Sequence, residues 1–299
     1  MQGAENGVHN PAESTAIELG DLGVLSVRGP DALPFLQGQL SNDVTLLDGA
    51  GSQLTGYHNP QGRAIGLMRL VPAGERILAV MPRELIAPVA ARLARFVLRA
   101  KVQLADDSAN WRVRGAVQEQ APAGLALQAG DAPVRWLSLR ASDEETSDEE
   151  TPARTPPAEQ RRAWTLLDIA GGVPQVYART SEAFLAQMLN LDLVGGIAFS
   201  KGCYTGQEVI ARAHYRGRVK RRMQRWRTLE RATLAPGDAG RLADGRTYRV
   251  VEAAPLADGR CEFLAVAPLD ARAEPDGEPD DAAHAPLQAE SLPLPYALP

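Results

Sequence analysis

Lys201-Gly202-Cys203-Tyr204-Thr205-Gly206-Gln207-Glu208 brings an amine, a thiol, an amide, a carboxylate and two glycines into eight residues. It follows a mostly apolar segment, Leu193 to Phe199, and leads into Val209-Ile210-Ala211-Arg212. Glycine adopts backbone angles that other residues avoid and lets a ligand approach the chain closely. A lysine two positions from a cysteine favours the thiolate, which is the nucleophilic form. The octapeptide therefore reads as a shaped loop with Cys203 as its reactive group and Lys201 as the group that activates it or binds an anion. Gln207 and Glu208 have two readings: they match the donors and acceptors of a ligand edge, or they open a helix, whose first turn favours acidic residues. Tyr204 reads as packing.

Downstream of the loop the chain is strongly basic, with Arg212, Arg216, Arg218, Lys220, Arg221, Arg222, Arg225 and Arg227 in sixteen positions. This stripe suits an anionic ligand, an RNA backbone or a solvated strand face. Arg216 is the best single candidate for an anion. Aromatic residues within it are limited to Tyr215 and Trp226, which weakens the RNA reading. Upstream, Trp164 to Ile169 reads as a strand, and Thr180 as the cap of a helix carrying Phe184, Leu185, Met188 and Leu189. Further upstream, Leu22–Val27 alternates as a strand, and Asp31 caps a short helix through Leu36 and Leu40. Leu54–Val71 reads as a hairpin turning at Asn59-Pro60-Gln61-Gly62, and Arg83–Arg99 as an amphipathic helix with Leu85, Ile86, Val89, Leu93 and Phe96 on its apolar stripe. After Met223, short strands alternate with Pro-Gly and Asp-Gly turns, as in a small antiparallel barrel. Strands and helices mixed with hairpins indicate an α+β fold.

At 299 residues the chain has room for two or three small domains. An apolar fraction of 44% and a charged fraction of 23% are ordinary for a water-soluble protein, and no apolar run approaches a membrane span. Two distant cysteines make no disulfide framework, so a reducing cytoplasm is expected. A net charge of −5 argues against a general nucleic-acid binder, and direct nucleic-acid contact is not expected. The pentad Ser-Asp-Glu-Glu-Thr occurs twice between Ser142 and Thr151, as an acidic insertion that cannot bury enough surface to order itself. No His/Cys/Asp cluster has metal-ligand spacing. Of the histidines, His58 reads most simply as a hydrogen-bonded turn residue, with an opening-facing role as the alternative. Cys261, in an alternating strand, reads as buried and inert.

Taken together, Lys201–Glu208, Ala211-Arg212 and Tyr215-Arg216-Gly217 resemble the signature of the YgfZ folate-binding family, whose relatives include the glycine-cleavage aminomethyltransferase and mitochondrial iron–sulfur maturation factors. Asn59-Pro60-Gln61-Gly62-Arg63 and Gln187-Met188-Leu189-Asn190-Leu191-Asp192 are similar in weaker form. The resemblance implies a three-domain cloverleaf, two small α/β units and a C-terminal antiparallel β-barrel, around a central cavity. On that plan residues 1–15 are a loose leader, and 16–140 with 161–222 form the interleaved α/β domains. Residues 141–160 are the acidic insertion, 223–270 with 292–299 the barrel, and 271–291 a second disordered acidic segment. It further implies tetrahydrofolate or another folate derivative in the cavity, with Gly202, Tyr204, Gln207, Glu208, Arg212 and Arg216 contacting it and Cys203 at its edge. The implied partners are iron–sulfur client or assembly proteins, including tRNA-modifying enzymes. A stable four-iron cluster normally takes four cysteines, so two in the chain point to transient handling. Two alternatives stand beside this reading. An aminomethyltransferase would need a carboxylate near Gly62-Arg63-Ala64-Ile65-Gly66-Leu67-Met68, and none is present. A plain RNA-binding module would rest on the basic stripe alone.

Overall fold

Leu22–Arg28 is buried along nearly its whole length, and its two faces enter different cores. Leu25 and Val27 join one apolar cluster, Leu22 and Val24 another. This strand is the hinge of the architecture, because a strand's successive side chains point to opposite faces. The computed structural model describes residues 16–47, 51–122, 124–131, 133–143, 157–217, 219–270 and 285–299.

In chain order the elements are β1 (Ile17–Glu18), β2 (Leu22–Arg28), α1 (Ala32–Gln39), β3 (Gln53–His58), β4 (Ala64–Ala73), β5 (Arg76–Pro82), α2 (Arg83–Ala94), β6 (Gln103–Asp106), β7 (Trp111–Val117), β8 (Leu125–Asp131), β9 (Val134–Ala141), α3 (Pro157–Ala170), α4 (Gln207–Tyr215), β10 (Arg221–Thr228), β11 (Ala239–Arg241), β12 (Thr247–Pro255), β13 (Cys261–Pro268) and β14 (Ala289–Leu292). They build three antiparallel sheets, ordered β3-β4-β5-β2-β6, β1-β7-β9-β8 and β11-β12-β13-β10-β14. On one face of the first sheet lie α1 and α2; against the other, Leu22, Val24, Leu78 and Val80 pack on Val113, Leu137, Leu139 and Trp164. The edges of the third sheet are linked: Leu242 and Leu287 form a parallel bridge, and the Leu287 N–H donates to Arg241.

This is the mixed α/β, antiparallel class expected, with local differences. Trp164–Ile169 is the second half of α3 rather than a strand. Its buried residues, Gln160, Trp164, Thr165 and Ile169, follow helical spacing, which six residues are too few to reveal. The helix also takes in 157–160, assigned to the insertion, and β14 takes in 289–291, assigned to the acidic segment. No continuous helix follows Thr180. Two 3-10 turns, Ala178–Thr180 and Ala186–Leu189, flank Phe184, and the Thr180 hydroxyl accepts from the Tyr177 N–H at 2.9 Å. The α2 helix stops at Ala94, Leu98 takes a left-handed φ of 43°, and Phe96 is exposed rather than on the core stripe. Residues 1–15, most of the acidic insertion and 271–284 lie outside the described residues.

Candidate functional site

Gly206, with φ 84°, caps α4 and docks on the hairpin turn between β3 and β4. A Cβ there would sit 2.5 Å from the Asn59 carbonyl oxygen and 3.1 Å from Gly62 Cα. Gly62, at φ 73°, in turn packs on Val209 and Ile210. The two stretches that resemble one family signature thus meet in space, and glycine is what allows the backbones to touch.

Lys201 fixes the loop from the other side. Its ammonium donates to the carbonyls of Gln37, Leu40 and Asn42 at 2.7, 2.6 and 2.9 Å and lies 5.0 Å from the Tyr204 ring centroid. Three donors are all an ammonium has. Burial lowers its pKa to about 8, with the Asp43 charge pulling the other way. Lys201 is therefore an anchor of the loop, its three N–H groups all spent on backbone carbonyls. Tyr204 is buried packing, its phenol pushed by burial to about 12. Gln207 straps the loop loosely, its amide 3.5 Å from the carbonyls of Lys201 and Gly202. Cys203 is a free, exposed thiol, whereas Cys261 is buried, with its thiol raised by burial to about 11.

The basic stripe resolves into two populations. Arg222 is buried and bidentate on Asp192 at 2.9 and 2.8 Å, while also donating to Gln187 and Asn190. Arg225 and Arg227 share the buried Glu262 carboxylate. Arg221 donates to Thr247. These are structural. Arg212, Arg216 and Lys220 are exposed and form no ion pair among the described residues, and Arg218 lies outside them.

A chamber of about 40 Å³ lies where the three sheets converge, lined by Arg69 of β4, Arg161, Trp164 and Asp168 of α3, Tyr177, and Glu252 of β12, with apolar residues between. A β-bulge between Val250 and Glu252 re-aims the strand there. The Tyr177 hydroxyl donates to Glu252. Burial raises the Glu252 carboxyl to about 7, opposed by Tyr177 and by the Arg161 charge. Beside the chamber, Arg135 is fully buried over the Trp164 ring, donates one N–H to Asp168 at 2.6 Å and has Nε and its second terminal nitrogen unpartnered. None of the eight residues expected at the site lines this chamber. Lys201 to Gln207 form a separate loop, and Glu208, Arg212 and Arg216 edge an open hollow. The chamber group was missed because its members are scattered over 180 positions without a motif. One signal was available: Glu252 interrupts the apolar run Val250-Val251…Ala253-Ala254. His58 was expected to be hydrogen-bonded. It is fully buried over Gly56, neither ring nitrogen has a hydrogen bond of ordinary geometry, and burial lowers it to about 4, with the nearby Gly56 backbone pulling the other way.

These features define an aminomethyltransferase-like fold. The glycine cleavage system aminomethyltransferase T from Bartonella henselae matches with a TM-score of 0.59 over 85% of this chain and 78% of that one, at 12% identity, a likeness of fold alone. No family model matches the chain. The tRNA-modifying protein YgfZ of Serratia proteamaculans is 30% identical, covering 95% of this chain and 93% of the relative. That of Edwardsiella ictaluri is 31% identical, covering 95% and 92%. The chain belongs to the YgfZ family. No described helix is long and apolar enough to cross a membrane.

Proposed function

We propose that this protein is a folate-binding accessory factor that supports tRNA modification by iron–sulfur enzymes, with Cys203 as its reactive group. The observation that carries the reading is a free, exposed thiol on a loop fixed by Lys201 and Gly206, in a chain whose relatives are named for tRNA modification. Holding a loop rigid costs the fold a buried ammonium, yet leaves the thiol outside. That suits a group that must meet a second macromolecule rather than a small enclosed substrate. The thiol would take a sulfur species or cluster transiently as cargo. Among the described residues no group of three or more His, Cys, Asp or Glu could hold a metal ion, and the chain has two cysteines against the four a four-iron cluster takes.

The chamber's donor set fits a pterin. Carboxylates such as Asp168 and Glu252 accept from adjacent ring N–H groups, and Arg69 or Arg161 donates to a ring oxygen. The unpartnered Arg135 donors mark a locality with hydrogen-bonding capacity to spare. At about 40 Å³ the chamber admits a few waters, so a pterin would enter only as the lining side chains part. A folate there would supply one-carbon chemistry, and the residues named would bind and orient it. We read the edge-linked third sheet as the barrel of the cloverleaf. An aminomethyltransferase is the weaker reading, because Ala64 to Met68 are buried apolar residues and glycine, with no carboxylate to handle a folate proton.

The test is Cys203→Ala in cells lacking the native protein. Levels of iron–sulfur-dependent tRNA modifications should fall while the purified variant keeps its unfolding midpoint; unchanged modification would sink the assignment of Cys203. Titration with tetrahydrofolate should give saturable quenching of Trp164 fluorescence, and Glu252→Gln with Asp168→Asn should weaken it.

A further inference from the structure

The helix that begins at the cysteine loop leaves one face uncovered. Glu208, Ala211, Arg212 and Tyr215 stand three and four apart along α4 and, with Arg216, edge a hollow of about 330 Å³. On the other side of the helix's last turn lies a crevice of about 910 Å³, walled by Leu193, Ala213, His214, Lys220 and Leu269. Tyr215, 68% exposed, lines the hollow, and the adjacent His214 lines the crevice. The Tyr215 ring is held rather than loose: it meets His214 edge-on at 4.7 Å and Phe199 at 6.1 Å, while Phe199 and His214 stack at 3.7 Å. A large aromatic ring that is braced at its edge and open elsewhere is a stacking platform.

From this arrangement we infer that the C-terminal half of α4 is an RNA-docking surface for an unpaired loop, with one base stacked on Tyr215, the next in the crevice, and Arg212, Arg216 and Lys220 on the phosphates. The inference rests on the tRNA half of the reading above and is independent of its folate half. It departs from the expectation drawn from net charge, which averages these three cations with the acidic segments. The pairing of Arg222, Arg225 and Arg227 with carboxylates, and the bond from Arg221 to Thr247, set aside half of the eight cations and leave Arg212, Arg216 and Lys220 as a short cationic rim near one aromatic. Three features favour a nucleic acid over an acidic peptide. Planar rings line the site, its concavity has the size of a small-molecule pocket, and the cations are spaced on both sides of the ring. The carboxylates nearby are Glu208 at the far end of the helix face, Asp270 at the crevice rim, and Asp192, which Arg222 neutralises. Glu208, in the helix's first turn, keeps phosphate away from the N-terminal half of the face. Cys203 lies beyond the other end of this nine-residue helix, so RNA held at Tyr215 is roughly 13 Å along the axis from the thiol's end.

The test uses the full chain and a fluorescently labelled RNA stem–loop, with a blunt duplex and heparin as controls, followed by anisotropy at several salt concentrations. Saturable binding that prefers the stem–loop is expected. Tyr215→Ala should weaken it about tenfold to a hundredfold and Tyr215→Phe should restore it. Changing Arg212, Arg216 and Lys220 together to Ala should reduce the logarithmic salt slope by roughly 2. No binding at low salt, equal affinity for the duplex, or indifference to Tyr215→Ala would overturn the proposal. So would displacement by heparin with no contribution from the ring, which is the behaviour of a generic polyanion or acidic-protein surface. Tetrahydrofolate titration of the same sample separates the outcomes: RNA binding without folate binding leaves this surface standing and removes the folate reading, and the reverse result does the opposite.

Discussion

At the chamber, Asp168, Tyr177 and Glu252 are drawn into the interior and bonded to neighbouring side chains, whereas along the α4 edge Cys203, Arg212, Tyr215 and Arg216 face solvent. Both regions concentrate the same residue types. In the chamber, burial raises the Glu252 carboxyl and the Tyr177 phenol, and Glu252 registers as pH-dependent stability. On the edge, solvent screens the charges, and the groups register through reaction rates and binding. The edge nevertheless stands on a buried foundation: Lys201 beneath the loop and the Arg222–Asp192 pair beneath the helix.

The foundation gives the largest effect. Asp192→Ala leaves Arg222 buried without its counter-charge, and breaking a buried pair from one side costs about 3–5 kcal/mol. Urea unfolding should show that loss. A loss under about 1 kcal/mol would mean that the pair is solvent-screened and that the edge lacks the rigid support described. Next come the two thiols. Cys203 should react with a disulfide reagent in the native protein. Cys261, with a thiol raised to about 11, should react at least about a hundredfold more slowly unless urea is added. Equal rates would break the contrast between an open edge and a closed interior.

The chamber is tested through Glu252. Its folded pKa of about 7 lies above the ordinary 4.5, so the folded state holds a proton that the unfolded state releases. The stability this contributes is complete below pH 4.5 and is lost as pH rises through 7. Glu252→Gln cannot ionise and still accepts from Tyr177. It should flatten that decline and make the protein more stable above pH 7, on the order of 1–3 kcal/mol. A decline that persists in the variant would assign the titration to another group.

The same contrast explains what the sequence allowed to be read. The α4 edge is contiguous in the chain, so its glycines, thiol and helix start were visible together, whereas their docking on Asn59–Gly62, about 140 positions upstream, was not. The direction of the Lys201 ammonium was not visible, because its three carbonyl partners lie about 160 positions away. The chamber depends on convergence of three sheets, and Asp168 was placed in a strand that is a helix. Strand alternation in β2 was legible, but its partition into two cores was not, since each face looks equally apolar in one dimension.

His58 offers the smallest and most specific test. Its depressed pKa of about 4 has the opposite sign to Glu252: the unfolded state binds a proton up to pH 6.5 that the folded state refuses. Stability should therefore rise with pH from about 4 to 6.5 on account of His58, while Glu252 lowers it from 4.5 to 7. In the native protein the two slopes oppose each other from pH 4.5 to 6.5, and the Glu252 decline stands clear only above that window. In Glu252→Gln the His58 slope should emerge alone. His58→Leu replaces two unpartnered nitrogens with an apolar side chain of similar size, and removing buried unsatisfied groups is neutral or stabilising, here by about 1 kcal/mol at pH 7. Because a Cβ at Gly56 would fall 2.3 Å from the ring, the replacement must lie over the same glycine, so a loss of stability would show that shape at Gly56 outweighs the orphaned nitrogens. If instead the acid slope of Glu252→Gln survives His58→Leu, the titrating group is not His58, and the closed interior proton chemistry assigned to this sheet is wrong.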